Sequence, residues 1–416
     1  MTAPSRRRVT IIGAGAAGTM AAIFAARAGA DTLLLESTRD GGRKILISGG
    51  GRCNVLPSHL DGTRFVTDSS PNVLRRILRS WSLADQVAFF QSDVGIPLVV
   101  EPESKKLFPV SNKARDVRDG LLSLASRSGA RLRFDARVTG VAPEAGGGWR
   151  VVVDGGAPVV SDAVIIATGG LSVPNTGSDG FGLRLAGQLG HTVHPTYAAL
   201  TPLTADPPPF AALSGISLVA SLTARSATRI ASATGGFLFT HRGYSGPAVL
   251  DVSHVAVRSR ADESSAATVR VQWSTRGDDE WTAALKANGT RSVLGAIRDE
   301  LPDRLAAALI AVAGVDPART LAELKRDERQ RLLDVLVRAV LPWSGDEGYK
   351  KAEVTGGGVS LADIDSRTME SRHVPGLFLC GEVLDAFGPI GGYNFLWAWV
   401  TGRAAGRGAA QPASEA

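Results

Sequence analysis

The chain has 416 residues, of which 44% are hydrophobic and 21% charged, with 48 glycines and a formal net charge of +6. This excludes a disordered or fibrous chain and supplies enough apolar material for two or three packed domains. The small basic surplus fits a polyanionic partner such as RNA and equally an enzyme that holds a dinucleotide.

Residues 9–12 read as a short buried strand, 16–28 as an Ala-rich helix and 32–35 as a second strand ending at Glu36. Together they form a βαβ unit. Residues 73–90 carry Leu74, Ile77, Leu78, Trp81 and Val87 at helical spacing, and 117–125 is a further helix. Strand patterns follow at 132–134, 138–141, 149–153 and 163–166, with glycine clusters at 146–148 and 155–156 as hairpin turns. After Gly190 the character shifts, and Pro202 with Pro207, Pro208 and Pro209 marks a boundary. Residues 194–279 read as β-rich, with strands at 217–223, 236–240 and 268–273, and 280–352 as helical. Strand signals return at Glu353. The expected architecture is α/β: a doubly wound domain from 1–193 and 353–416, interrupted by an inserted domain at 194–352.

Gly13-Ala14-Gly15-Ala16-Ala17-Gly18 lies directly after a strand and opens a helix. Gly13 permits the tight turn, Gly15 lets backbone amides approach a pyrophosphate, and Gly18 lets the helix pack on the sheet. The helix N-terminus offers partial positive charge to phosphates. Glu36, at the end of the next strand, suits the ribose hydroxyls of an adenosine. A second glycine-rich stretch, 41–54, holds Arg43, Lys44, Ser48, Gly49, Gly50, Arg52, Cys53 and Asn54. Its amides, hydroxyl and guanidinium suit an anionic or polar ligand. Arg43, Lys44 and Arg52 are expected at the pyrophosphate.

Cys53 and Cys380, the two cysteines, form no Cys-x-x-Cys pair, which argues against a disulfide relay. The apolar run 9–12 behind Arg6-Arg7-Arg8 is too short for a signal peptide. The run 305–312 is far shorter than the roughly 20 residues of a membrane span. No cluster has metal-ligand spacing. A cytoplasmic protein is expected.

The block GRKILISGGGRCNV at 42–55 resembles that of the BaiN-like (YhiN-like) flavoproteins. Three further blocks follow in family order: Ile165 to Gly170 with Ser172, Pro174 and 176–180; Leu238 to Ala248; and Thr355 to Val359 with 381–385 and 391–394. The resemblance implies a glutathione-reductase-like FAD domain with an inserted domain, part β-barrel-like and part helical. It implies non-covalent FAD lying along Gly13, Gly15, Gly18, Glu36, Arg43, Lys44, Arg52 and Val138. Thr168, Gly169 and Gly170 pass its middle, and Gly381, Glu382, Asp385, Gly391, Gly392, Tyr393 and Asn394 close over the ribityl and flavin end. Many relatives carry a second acidic residue two positions after the Asp385 equivalent, where this chain has Phe387.

His241 is the leading candidate general acid, with Tyr244, Tyr393 and Cys53 behind it. A structural role is the alternative for each. With no second Gly-x-Gly-x-x-Gly unit, NAD(P)H is expected to visit the flavin transiently. The resemblance implies reduction of an activated C=C bond in a small molecule or in uracil of ribosomal RNA. An amine oxidase, or an RNA-binding module with structural FAD, is the alternative. Arg75, Arg76 and Arg79, Arg127, Arg131, Arg133 and Arg137, and Lys325, Arg326, Arg329 and Arg331 are solvated faces or an RNA footprint.

Overall fold

A computed structural model of the protein describes residues 6–261, 265–286 and 289–411. The chain divides into two compact units, Met1–Thr196 with Val354–Ala416, and Tyr197–Glu353.

The first unit is organised by a five-stranded sheet. Its strands run in the order Leu377–Leu379, Ala163–Ile166, Arg8–Ile12, Asp31–Leu35, Arg131–Arg133, and all neighbouring pairs are parallel. Parallel strands covered on both faces are continuous apolar runs. Accordingly, Ala163–Ile166 and Leu377–Leu379 are buried at every position. Helix Ala16–Arg27 packs against the C-terminal helix Tyr393–Ala410. A Cβ at Gly402 or Gly406 would collide with the carbonyl oxygens of Ala17 and Ala21. Glycine one turn apart thus brings the two backbones into direct contact. The return of the chain after the second unit therefore completes the core of the first.

A three-stranded antiparallel sheet of Val138–Pro143, Trp149–Val153 and Val159–Ser161 belongs to this unit. The helical pattern at 73–90 is not one helix. It breaks into Pro71–Leu78 and Leu83–Ala88, because Ser82 accepts a hydrogen bond from the Asp85 amide at 3.1 Å and caps a new start.

The second unit carries a seven-stranded sheet. Its central hairpin pairs Ser217–Arg225 with Ile230–Thr240. Pro247–Ser259, within the stretch read as β-rich, is a helix. Its valines sit on a helical stripe, burying Val249, Val252 and Ala256, and Pro247 at the first turn suits a helix start. Gly246, at φ 96°, lies so close to the backbone of Gly236 that a Cβ would stand 2.5 Å from its oxygen. Helices Asp278–Ala284, Val293–Arg298, Asp303–Val312 and Arg326–Val337 follow. Among the described residues, no helix is long and apolar enough to cross a membrane.

Candidate active site

Strand Arg8–Ile12 ends in Gly13 at φ 102°, where a Cβ would meet the Ala167 oxygen at 2.6 Å. A Cβ on Gly18 would collide with the Gly13 carbonyl. Gly15 differs from both. It caps the helix at φ −76°, ψ −168°, and a Cβ there would meet no protein atom within 4 Å. The first helical turn, Ala16 and Ala17 included, holds no acidic residue, so its positive end faces no charge of its own. Glu36 closes the loop by accepting from the Ala14 amide at 2.8 Å on Oε2 and from the Thr38 amide at 2.9 Å on Oε1. The neighbouring segment is pinned to the same residue, because the Ala136 amide donates to the Glu36 carbonyl at 2.8 Å. This brings Val138, buried at the start of its strand, beside the acidic end of the unit.

The loop at 41–54 folds as helix Arg43–Ile47 and a distorted turn Ser48–Gly51, with Gly49 and Gly50 at φ 56° and 67°. The cations of this loop are paired within the protein. Arg43 pairs with Asp40 at 2.7 Å, Arg52 with Glu101 at 2.8 Å and Lys44 with Glu382 at 2.6 Å. Each of these three positive charges has a carboxylate partner, whereas the amides at the N-terminus of Ala16–Arg27 face none. Ser48 donates its hydroxyl to the Ile45 carbonyl at 2.8 Å.

Lys44 belongs to a connected polar group. Its Nζ donates to Ser172 Oγ at 2.5 Å as well as to Glu382 Oε2. The Ser172 hydroxyl and the Thr355 amide donate to Glu382 Oε1 at 2.5 and 2.9 Å. Thr355 Oγ1 accepts from the Leu171 and Ser172 amides at 2.7 and 3.0 Å. Burial acts to raise the Glu382 carboxyl, but the Lys44 ammonium and these hydrogen bonds outweigh it and hold the group below the ordinary carboxylate range. Gly170 must be glycine here, since a Cβ would collide with Thr355 Oγ1. Gly169 takes φ 72°.

Sequence reasoning placed Asp385 at ribityl hydroxyls. In the structure its Oδ2 accepts from Thr67 Oγ1 at 2.9 Å, from the Asp68 and Ser69 amides at 2.9 and 2.8 Å, and from Ser69 Oγ at 2.8 Å. His194 Nε2 stands 3.7 Å away. Asp385 is thus an anchor for the loop at 67–69, a role the sequence did not reveal. Asn394 braces its own turn through reciprocal 2.9 Å bonds with the Gly388 amide and carbonyl. Gly391 and Gly392 take φ 119° and 92° before the helix begins, and Gly381 takes φ 80° with room for nothing larger beside Ala17.

The four proton-donor candidates are not in equivalent settings. His241 is exposed at the two-residue turn between Thr240 and Gly243. Tyr244 is buried among Phe237, Phe239 and Trp273, its hydroxyl has no partner among the described residues, and burial raises its pKa. Cys53 is fully buried at φ 65°, and desolvation pushes its thiol up to about 12. Tyr393 donates its hydroxyl to the His59 carbonyl at 3.1 Å. Phe387 is buried and bridged to Val66.

Two features show that the first unit fits a bound dinucleotide. The space above Gly15 is not claimed by protein, although glycine stands there. Asn54 Oδ1 and Thr168 Oγ1 are buried with no partner among the described residues, and buried polar atoms ordinarily have one.

The family described as the HI0933-like protein Rossmann domain matches residues 7–408. The chain is 33% identical over 401 residues to the ribosomal RNA dihydrouridine synthase of Escherichia coli (strain K12), covering 94% of each. It is 32% identical over 419 residues to the 3-dehydro-bile acid delta(4,6)-reductase of Clostridium scindens, covering 97% of this chain and 99% of that one. Among solved structures, the 3-ketosteroid delta1-dehydrogenase of Sterolibacterium denitrificans shares the fold with a TM-score of 0.52 at 12% identity, over 97% of this chain and 99% of that one. The chain therefore belongs to the HI0933-like Rossmann-domain family and is an FAD-dependent oxidoreductase.

Proposed function

We propose that the protein reduces a carbon–carbon double bond conjugated to a carbonyl, with NAD(P)H as the electron source. One observation carries this reading: relatives that align over nearly the whole chain are named for saturating such bonds. Uracil C5=C6 is conjugated to the C4 carbonyl, and a delta(4,6) double-bond system to a 3-oxo group. Per turnover, NAD(P)H becomes NAD(P)⁺, a hydride reaches one carbon of the double bond and a proton from solvent reaches the other. FAD, when bound, supplies the two-electron carrier between donor and acceptor.

The chain's own residues bind and orient. The amides around Gly15 and the N-terminus of Ala16–Arg27 face the pyrophosphate, Glu36 the adenosine ribose, and Asn54 and Thr168 offer unpartnered oxygens to the cofactor's polar groups. The N-terminus of Tyr393–Ala410 favours negative charge on the flavin's pyrimidine edge. His241 keeps the role of proton-donor candidate because its imidazole is exposed, whereas Tyr244 and Cys53 are sealed from solvent.

A specific observation favours uracil in ribosomal RNA as the acceptor. Arg75, Arg76 and Arg79 are exposed and meet no carboxylate among the described residues. The experiment is to incubate the holoprotein with NADPH and either ribosomal RNA lacking dihydrouridine or a 3-oxo-delta(4) steroid. A mass gain of two hydrogens in one of them supports the reading. Absence of a saturated product from both, with a flavin that NADPH reduces, would overturn it.

A further inference from the structure

We propose that the exposed face of helix Pro71–Leu78, continued by Arg79, is the surface that binds the phosphates of an RNA substrate. The inference rests on the uracil reading above and adds the place where RNA lies.

The helix divides cleanly. Leu74, Ile77 and Leu78 turn inward, and Arg75, Arg76 and Arg79 remain exposed. Arg79 stands four positions after Arg75 and three after Arg76, the spacings that make neighbours on a helix surface, so it links the three guanidinium groups into one patch. Arg75 bonds only neutral neighbours, Asn72 Oδ1 at 2.6 Å and the Pro71 carbonyl at 3.2 Å. In the other basic clusters the compensation is partial: Arg127, Arg133, Lys325 and Arg326 are exposed and meet no carboxylate among the described residues, but the remaining arginines are tied up. Arg131 pairs with Asp31, Arg137 with Asp179 and Arg331 with Asp327, at 2.9, 3.0 and 2.8 Å. A guanidinium already paired at such a distance contributes little net field, whereas an uncompensated stripe attracts polyanions.

Two neighbouring elements flank the stripe. Towards the C-terminal helix, Arg403 donates to the Ser80 carbonyl at 3.2 Å and lies over the Trp81 ring at 5.1 Å. Burial, and next the neighbouring Arg407, lower the Arg403 pKa, so two cations are crowded there. The acid that bears on Arg403 is Asp85, already bonded to Ser82 at 2.7 Å. In the other direction, the helix follows directly on the loop at 67–69 that clasps Asp385. The arginine stripe thus begins directly after the loop that holds Asp385 and runs along one helix. A base leaving its stack to reach a flavin needs such a rim for the flanking phosphates.

The test compares the wild-type holoprotein with the triple variant Arg75→Gln, Arg76→Gln, Arg79→Gln, and with Arg131→Gln, Arg137→Gln as a control on two arginines that each already pair with a carboxylate. Binding of a labelled ribosomal RNA fragment is followed by anisotropy across a salt series. FAD content and thermal midpoint check the fold. The triple variant should bind at least about 10-fold more weakly, because deleting even one charge-assisted hydrogen bond to a phosphate weakens binding by about that factor. Its log–log salt slope should fall by about two. The control should bind as wild type. RNA binding by the triple variant equal to wild type would overturn the proposal. So would wild-type binding to phosphatidylserine vesicles with none to RNA, which would make the face a membrane-binding surface. Reduction of a steroid enone without RNA binding would overturn the uracil reading along with it, while a triple variant that binds RNA normally and still yields dihydrouridine would overturn the face alone.

Discussion

Lys44 Nζ lies 2.6 Å from Glu382 Oε2, although 338 positions separate the two residues. Ser172 and Thr355 join the same carboxylate, so the pair ties the glycine-rich loop to the segment that follows the second unit. Lys44→Met or Glu382→Gln alone should destabilise the apoprotein by about 1–3 kcal/mol, since each strands a partly buried polar partner. The double variant should lose less than the sum. Denaturant unfolding in a double-mutant cycle measures this, and strict additivity would show that the two groups do not act together.

The same pair sets a pH dependence. The folded-state pKa of Glu382 lies below its ordinary value. The unfolded chain therefore takes up this proton first as pH falls. The stabilisation from Glu382 is complete above the ordinary carboxylate range and is lost as pH drops through the lowered folded value. The stability gap between wild type and Glu382→Gln should narrow over that acidic window. A gap that stays constant down to the acid transition would contradict the assignment.

Gly15→Val should fold as wild type and hold no FAD. No protein atom stands within 4 Å of a Cβ at this position, and its φ of −76° suits any residue. The added side chain would occupy only the space the pyrophosphate requires. Apoprotein melting should be unchanged while flavin absorbance disappears. Wild-type FAD occupancy in the folded variant would place the phosphates elsewhere.

Tyr244→Phe should leave turnover intact and raise the melting temperature or leave it unchanged. The hydroxyl is buried without a partner among the described residues, a state that costs about 1–3 kcal/mol. Loss of turnover by tenfold or more with an unchanged fold would instead mark the hydroxyl as a proton donor.

Cys53 should resist alkylation in the native protein. With a thiol raised to about 12, roughly one molecule in 10⁴ holds a thiolate at about pH 8. Iodoacetamide should label it only on unfolding. Rapid native labelling with loss of activity would return Cys53 to the catalytic candidates.

Several parts of this structure were legible because they follow from local chemistry. Runs such as Ala163–Ile166 are apolar at every position because both faces of a parallel sheet are covered. The glycines at 13, 15 and 18 betray a turn, a cradle and a close packing contact. Other parts depend on partners distant in sequence. Nothing in Thr67-Asp68-Ser69 announces that it will clasp Asp385. The ion pairs of Lys44 and Arg52 were not legible, because their carboxylates, Glu382 and Glu101, come from elsewhere in the chain. The helix Pro247–Ser259 was hidden by its β-branched valines, whose strand preference is overridden by burial along one helical stripe.

The most direct measurement of the central claim is an anaerobic spectrum of the purified holoprotein during NADPH addition, followed by a carbonyl-conjugated C=C acceptor. The oxidised flavin band should bleach with NADPH and return in step with formation of the saturated product, whether from ribosomal RNA uracil or from an enone. A protein that folds without any flavin band, or whose bleached flavin is reoxidised by neither acceptor, would contradict it.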